Sequence, residues 1–274
     1  MTCINGYAIR YLDYDNANYS SSSSSANRHH NNNDVLILLH GIGASAERWL
    51  PVSSTLSKYF RLIVPDIIGF GYSDKPTVQY TMDFFLEFFQ GFLENLSIDK
   101  ASIIGSSFGG QLATEFAIRF AKRTEKLVLA APAGIMRSST PVLDQYIMAA
   151  LYPTYDNALK AFMDMAYDPS SVTEDTVRDF VNRMRLPNAK YAFMSTLLGM
   201  RESETLPGRL SKILTPTLLI WGDKDRMIPL QYAKEYNEIP HSNLVVIKDC
   251  GHTPYVEKPI AFNKAILKFL FNGI

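Results

Sequence analysis

The stretch that most limits the folds open to this chain is Ile103-Ile104-Gly105-Ser106-Ser107-Phe108-Gly109-Gly110. An apolar run over 101–104 enters a Gly-x-Ser-x-Gly pattern. The segment after it carries Leu112, Phe116 and Phe120 on one helical stripe, with Ala113, Ala117 and Ala121 beside it. Strand, sharp turn and helix form the context in which these five residues present a nucleophilic serine rather than an ordinary glycine-rich turn. The central residue of such a turn sits in a strained backbone conformation, and a side chain at either flank would clash, so Gly105 and Gly109 provide the room. The turn lifts Ser107 Oγ above the sheet and aims the N-terminus of the next helix at it, which favours negative charge developing there.

The rest of the chain repeats the strand half of this pattern. Residues 35–39 are five apolar residues in a row, the mark of a strand buried on both faces of a parallel sheet. Similar short runs occur at 62–64, 126–131, 217–221 and 244–247, and residues 4–14 alternate weakly, as one or two edge strands would. Between them lie segments with helical spacing: Trp49, Val52 and Leu56; Phe85, Phe88, Phe89, Phe92, Leu93 and Leu96; a stretch at 229–237; and Phe262, Ile266, Phe269 and Leu270. Alternating strands and helices predict an α/β fold with a doubly wound, mostly parallel sheet.

Two segments break the alternation. Residues 15–34 include a serine run and Ala26-Asn27-Arg28-His29-His30-Asn31-Asn32-Asn33, a composition that reads as a low-complexity surface loop. His29 and His30 lack a third ligand in a rigid frame, so no metal site is expected there. Residues 134–208 show helical periodicity without a buried strand, are rich in Met, Tyr and Ala, and are divided by Pro141, Pro153, Pro169, Pro187 and Pro207. The expected organisation is a core of residues 1–133 and 209–274 with a helical insertion at 134–208.

Composition excludes several function classes. With 274 residues and 47% apolar side chains the chain can bury one large core, and its formal net charge of zero gives no pull toward nucleic acid or an anionic membrane. The two cysteines, Cys3 and Cys250, make neither a disulfide framework nor a metal cluster. No apolar run reaches membrane-spanning length, and the first residues show no basic region followed by an apolar one. The expectation is a cytoplasmic protein without metal or cofactor that acts on a small molecule; a homo-oligomer is compatible with it.

Ser107, a pair of aspartates and His252 all fall just past the C-terminal ends of predicted strands, the edge at which open α/β sheets bind ligands. A serine hydroxyl needs a base in hydrogen-bond reach, and that base needs a carboxylate to fix its tautomer. His252 is the base: His40 belongs to the His-Gly-Ile-Gly motif, His241 sits on a polar turn, and His29 and His30 fall in the loop. Asp223 and Asp225 both follow the strand at 217–221, and position alone does not separate them. An oxyanion needs two donors, expected from the backbone N–H groups of Phe108, next to the nucleophile, and Ile42, in the loop after the first buried strand.

Together these residues resemble the α/β-hydrolase superfamily over the whole chain outside the loop and the insertion. The resemblance rests on five motifs in order: His40-Gly41-Ile42-Gly43; Asp66 to Ser73; Gly105 to Gly110; Trp221-Gly222-Asp223-Lys224-Asp225 with Pro229; and Gly251-His252-Thr253-Pro254-Tyr255-Val256-Glu257-Lys258-Pro259. It implies a serine hydrolase with Asp225 as the triad acid and the insertion as a helical cap. Haloalkane dehalogenases and epoxide hydrolases use an aspartate nucleophile, so Ser107 argues against both. Carbon–carbon hydrolases of aromatic ring degradation share the elbow but carry Trp after the catalytic histidine, where this chain has Thr253. Proline iminopeptidases have a longer glycine-rich oxyanion loop and an acidic cap site. The resemblance therefore places carboxylesterases and lactonases, including acyl-homoserine lactone openers, first. A carbon–carbon hydrolase, an aminopeptidase and a non-catalytic ligand-binding member stand as alternatives. The cap's Met and aromatic residues suit an apolar acyl group. Arg178, Arg183, Arg185 and Arg201 are candidates to meet a carboxylate, and solvated helix faces explain them at least as well; Ser106 reads as a small residue the turn tolerates, and Cys250 as a small packed hydrophobe.

Overall fold

The computed structural model describes residues 1–14 and 35–272, so the low-complexity stretch with His29 and His30 lies outside the described residues. Strands β1 (Thr2–Ile4) and β2 (Tyr7–Ile9) form an antiparallel hairpin. Asn5 and Gly6 connect them at φ 50° and 86°, the doubly left-handed turn whose twist matches that of its strands. The weak alternation at 4–14 thus resolves into this hairpin plus β3 (Tyr11–Tyr14), an antiparallel edge strand.

The main sheet contains β3, β4 (Val35–Leu39), β5 (Arg61–Pro65), β6 (Ala101–Ser106), β7 (Thr124–Ala130), β8 (Thr217–Gly222) and β9 (Ser242–Ile247). Their order is β3-β5-β4-β6-β7-β8-β9, and every pairing from β5 to β9 is parallel. The apolar runs are buried on both faces because alternate side chains feed two cores. Ile37, Leu39, Ile103, Leu127 and Leu129 pack on one side with α2 (Met82–Asn95) and α3 (Phe108–Arg119). Leu36, Leu38, Ile104, Val128 and Ala130 pack on the other with α1 (Leu50–Leu56) and α9 (Pro259–Asn272). The chain leaves β4 toward β5 and returns to β6 on β4's other side. That reversal puts the loops after β4 and β6 next to each other at the C-terminal edge.

Four helices separate β7 from β8: α4 (Pro141–Leu151), α5 (Tyr155–Met165), α6 (Glu174–Met184) and α7 (Ala189–Glu202). Among the described residues, 134–208 holds helices and turns and no strand. Thr140, Thr154 and Thr173 start the first three of these helices, each hydroxyl accepting the N–H three residues on, and Pro141 sits where a missing N–H costs nothing.

Two details depart from the helical spacing expected after β8. Residues Leu230–Glu238 wind as a 3₁₀ helix. The residues that pack inward there, Leu230, Ala233, Tyr236 and Ile239, recur every third position, which three residues per turn aligns on one face. A further single turn, α8 (Pro254–Glu257), follows the histidine loop. Among the described residues no helix is long and apolar enough to cross a membrane.

Candidate active site

Ser107 stands between β6 and α3 at φ 52°, ψ −119°, a conformation non-glycine residues seldom adopt. Close packing around it imposes the neighbouring glycines. A Cβ on Gly105 would lie 2.3 Å from the Gly109 carbonyl oxygen, and one on Gly109 would lie 2.3 Å from that of Leu39. The helix can therefore approach the sheet closely only with glycine at both places. The turn is pinned on both sides: Ser107 N–H donates to the Ala130 carbonyl at 3.1 Å, and the Ser107 carbonyl accepts from Gln111 and Ala133.

Of the two aspartates after β8, Asp225 reaches the histidine. Its Oδ2 lies 2.8 Å from His252 Nδ1, and its Oδ1 accepts the N–H groups of Met227 and Ile228, both at 2.9 Å. Asp223 instead pairs with Lys224 and accepts from Cys250 N–H. The arrangement resolves the choice that position left open. Asp225 and His252 are both buried. A carboxylate accepting at Nδ1 fixes the tautomer that leaves Nε2 free to take a proton.

Ser107, His252, Ile42 and Phe108 line one cavity of about 480 Å³ between the sheet edge and the cap helices. Its other walls are mostly apolar and include Ile147, Phe162, Met165, Leu197, Met200 and Met227. Part of the insertion's Met and aromatic complement faces the cavity, as an apolar substrate would need. Met148, Tyr152, Met163 and Tyr167 are exposed instead.

The histidine loop is held by a residue whose role the sequence pattern did not show. Glu257, one of the buried polar residues, accepts N–H groups from Gly251, Tyr167 and Asp168. His252 N–H also donates to the Met165 carbonyl at the end of α5. His40 is likewise an internal brace: Nδ1 lies 2.8 Å from the Gly41 carbonyl, so it donates, and Nε2 accepts from Ile67 N–H at 3.0 Å. Burial lowers its pKa below the ordinary histidine value, in keeping with a neutral ring. Cys250 is fully buried, and burial pushes its thiol pKa up, as a packed hydrophobe requires. Among the described residues no group of three or more His, Cys, Asp or Glu is placed to hold a metal.

Two further residues line the cavity. Arg183 is not on a solvated face: it is 3% exposed and lines the cavity. It forms an ion pair with Asp179, one turn earlier on α6, and its Nε has no hydrogen-bond partner. Burial pushes its pKa below the usual arginine value, against the opposing pull of Tyr146, Asp66, Tyr72 and Glu47, and a guanidinium still stays charged near neutral pH. The spacing of Asp179 and Arg183 looks like a surface i,i+4 pair, which kept the solvated-face reading open in the sequence until burial removed it. Arg178, by contrast, is exposed and paired with Glu174, as a solvated face predicts. Ser106 also lines the cavity, and its buried Oγ has no partner. The cavity thus carries a buried cation with an unused donor and, separately, a buried hydroxyl with no partner.

A family model described as alpha/beta hydrolase fold matches residues 34–259. The chain belongs to the α/β-hydrolase family. It is 31% identical over 245 residues to the 2-hydroxy-6-oxo-2,4-heptadienoate hydrolase of Pseudomonas putida, covering 86% of this chain and 88% of that one. It is 30% identical to the 2-hydroxy-6-oxononadienedioate/2-hydroxy-6-oxononatrienedioate hydrolase of Comamonas testosteroni, covering 87% and 88%. Among solved structures, a variant of the meta-cleavage product hydrolase of Pseudomonas fluorescens superposes with a TM-score of 0.82 at 27% identity, covering 99% of this chain and 97% of the other.

Proposed function

We propose that this hydrolase cleaves the carbon–carbon bond of 2-hydroxy-6-oxo-dienoates, the ring-cleavage products that the sequence reading ranked behind esters and lactones. The observation that carries this is Arg183, a buried guanidinium with a spare donor on the same cavity as Ser107 and His252. A simple carboxylic ester brings no anion to such a group. A 2-hydroxy-6-oxo-dienoate brings a carboxylate at one end and a ketone at the other. The relatives named above act, by name, on compounds of this class.

The proposed roles draw on the residues that line the cavity. In its diketo form the substrate places the far carbonyl over Ser107 and its carboxylate at Arg183. His252 takes the Ser107 proton, Asp225 holds the imidazole, and the N–H groups of Ile42 and Phe108 receive the oxyanion. When the tetrahedral adduct collapses, the carbon–carbon bond breaks and its electron pair moves into the conjugated keto acid. The leaving group departs as a dienolate and takes up the proton from His252. Arg183 favours this step because negative charge grows on the part of the molecule it binds. Water, deprotonated by His252, then hydrolyses the acyl-Ser107 ester and releases a carboxylic acid.

The test is a substrate panel on the purified protein: a 6-methyl and a 6-phenyl keto dienoate, followed by loss of their absorbance, beside p-nitrophenyl butyrate. The keto dienoates should be turned over with kcat/KM about 100-fold above the ester, a difference that about 2.7 kcal/mol of anion binding provides. Ser107→Ala should abolish both reactions. Efficient ester hydrolysis with inert keto dienoates would return the chain to the esterase reading.

A further inference from the structure

The loop that carries Ile42 is held from above by the cap. Tyr146, in the middle of α4, is buried and packed among Phe162, Phe180 and Phe193, with ring centroids 6.2, 5.4 and 6.1 Å away. Its hydroxyl donates to the Ile42 carbonyl at 2.8 Å, a bond between residues 104 positions apart. Gly43 follows at φ 68°, and a Cβ there would lie 3.0 Å from the Phe193 ring and 3.2 Å from Tyr146 Oη. The loop and the underside of the cap are therefore in direct contact.

The consequence concerns the peptide unit between Ile42 and Gly43. Rotating that plane changes ψ of Ile42 and φ of Gly43. Glycine accepts either sign of φ, so the backbone itself opposes the rotation weakly. A rotated plane takes the Ile42 carbonyl from its place under the cap and frees the Ile42 Cα to shift, and the Ile42 N–H, which belongs to the preceding peptide unit, moves with that Cα. The Tyr146 hydroxyl is the group that fixes the carbonyl. We propose that Tyr146 is a positioning residue for catalysis: by binding the Ile42 carbonyl it holds the oxyanion loop in its accepting conformation, so that seating of α4 and competence of the oxyanion hole are one event. Burial raises the phenol's pKa, so the hydroxyl keeps its proton and its donor role across the neutral range. The inference rests on the reading of Ser107 as nucleophile with Ile42 as an oxyanion donor.

Tyr146→Phe removes the hydroxyl and keeps the ring contacts that fold the cap. Loss of an oxyanion donor typically costs about 10²–10³ in rate, and loss of its brace should cost less, about tenfold. For both a keto dienoate and p-nitrophenyl butyrate, kcat should fall about tenfold with KM changed less than about twofold, and inactivation by a fluorophosphonate should slow by the same factor. Affinity for an alkyl boronic acid, whose serine adduct places an oxygen in the hole, should weaken in parallel. The thermal midpoint, measured alongside, reports any loss of fold separately. Unchanged kcat and boronate affinity in Tyr146→Phe, with an active wild type, would overturn this proposal alone. A loss of kcat with boronate affinity intact would overturn it too, because the hydroxyl would then be serving the substrate directly. A wild type inert to substrates and fluorophosphonate would overturn both this proposal and the reading beneath it.

Discussion

Replacing Arg183 by Met separates anion recognition from folding. Arg183 is 3% exposed, so a ligand carboxylate bound there is largely removed from water, and a hydrogen bond to a charged partner in that setting contributes about 1.5–3 kcal/mol. At about 1.4 kcal/mol per decade, one such charged bond is worth about 10- to 100-fold. Arg183→Met should lower kcat/KM for a keto dienoate about 100-fold. Part of the loss should appear in KM and part in kcat, since charge grows on the bound end as the bond breaks. The neutral ester p-nitrophenyl butyrate should change by less than about threefold. Stability should not fall. Burying an ion costs several kcal/mol, and the offset from Asp179 is partial because that carboxylate remains 30% exposed and already accepts from Tyr72 Oη at 2.8 Å. Once freed, Asp179 stays hydrated, and methionine fills the space with a flexible apolar chain. Parallel kinetics on both substrates and a thermal scan make the assay. An equal loss on ester and keto dienoate, together with a lowered midpoint, would show that Arg183 supports the fold and not the ligand.

Other perturbations follow from single contacts. In Asp225→Asn, the amide oxygen must stay on the Met227 and Ile228 N–H groups, which turns the NH₂ toward His252 Nδ1 and puts the ring proton on Nε2. A histidine so fixed cannot take the serine proton, so kcat should fall by about 10⁴ with the midpoint nearly unchanged; a loss under tenfold would remove Asp225 from the mechanism. His40 accepts from Ile67 N–H and is held neutral by burial, so the unfolded chain gains its proton first as pH falls. Its contribution is complete above the unfolded pKa of about 6.5 and is lost below it, by up to about 1.4 kcal/mol per pH unit. Between about pH 7.5 and 5.5 the midpoint of the wild type should therefore drop more steeply than that of His40→Gln, and equal slopes would clear His40 as the source.

The sheet was legible because buried parallel strands leave little freedom of composition. Residues 35–39 are apolar at every position since Ile37 and Leu39 feed one core while Leu36 and Leu38 feed the other. The strand-end positions of Ser107, Asp225 and His252 followed from the same pattern, because the C-terminal edge of a parallel sheet collects what lies just past each strand, here one, three and five residues beyond β6, β8 and β9. Position did not choose between Asp223 and Asp225. The difference is which side of the turn each carboxylate faces, and that depends on the Met227 and Ile228 N–H groups folding back onto Asp225. Glu257 and Tyr146 were hidden, and Arg183 was left with two readings, for a related reason. Each acts through a tertiary contact: Glu257 with Tyr167 and Asp168, Tyr146 with a carbonyl 104 residues away, and Arg183 through burial that its i,i+4 partner disguises.

These hidden residues bear on the choice between ester and carbon–carbon chemistry. The serine, its base and its oxyanion donors act on an acyl carbon, and that half of the reaction is the same whether the leaving atom is oxygen or carbon. The elbow and histidine loop therefore cannot separate the two, and the departure at Thr253 samples one wall of the cavity and no more. The other half of the reaction differs sharply. An alkoxide can leave unaided by the protein beyond a proton, whereas a carbanion leaves only if its charge is spread over a conjugated acid and held there. The group able to hold it must be cationic, shielded from water and placed across the cavity from the nucleophile, on the insertion and not on the sheet edge. Arg183 on α6 meets the first two conditions by its 3% exposure and its permanent charge, and it stands on the insertion among the cavity walls. In the proposed reaction, selectivity for the leaving group rests on a helix that the sheet's own pattern does not constrain.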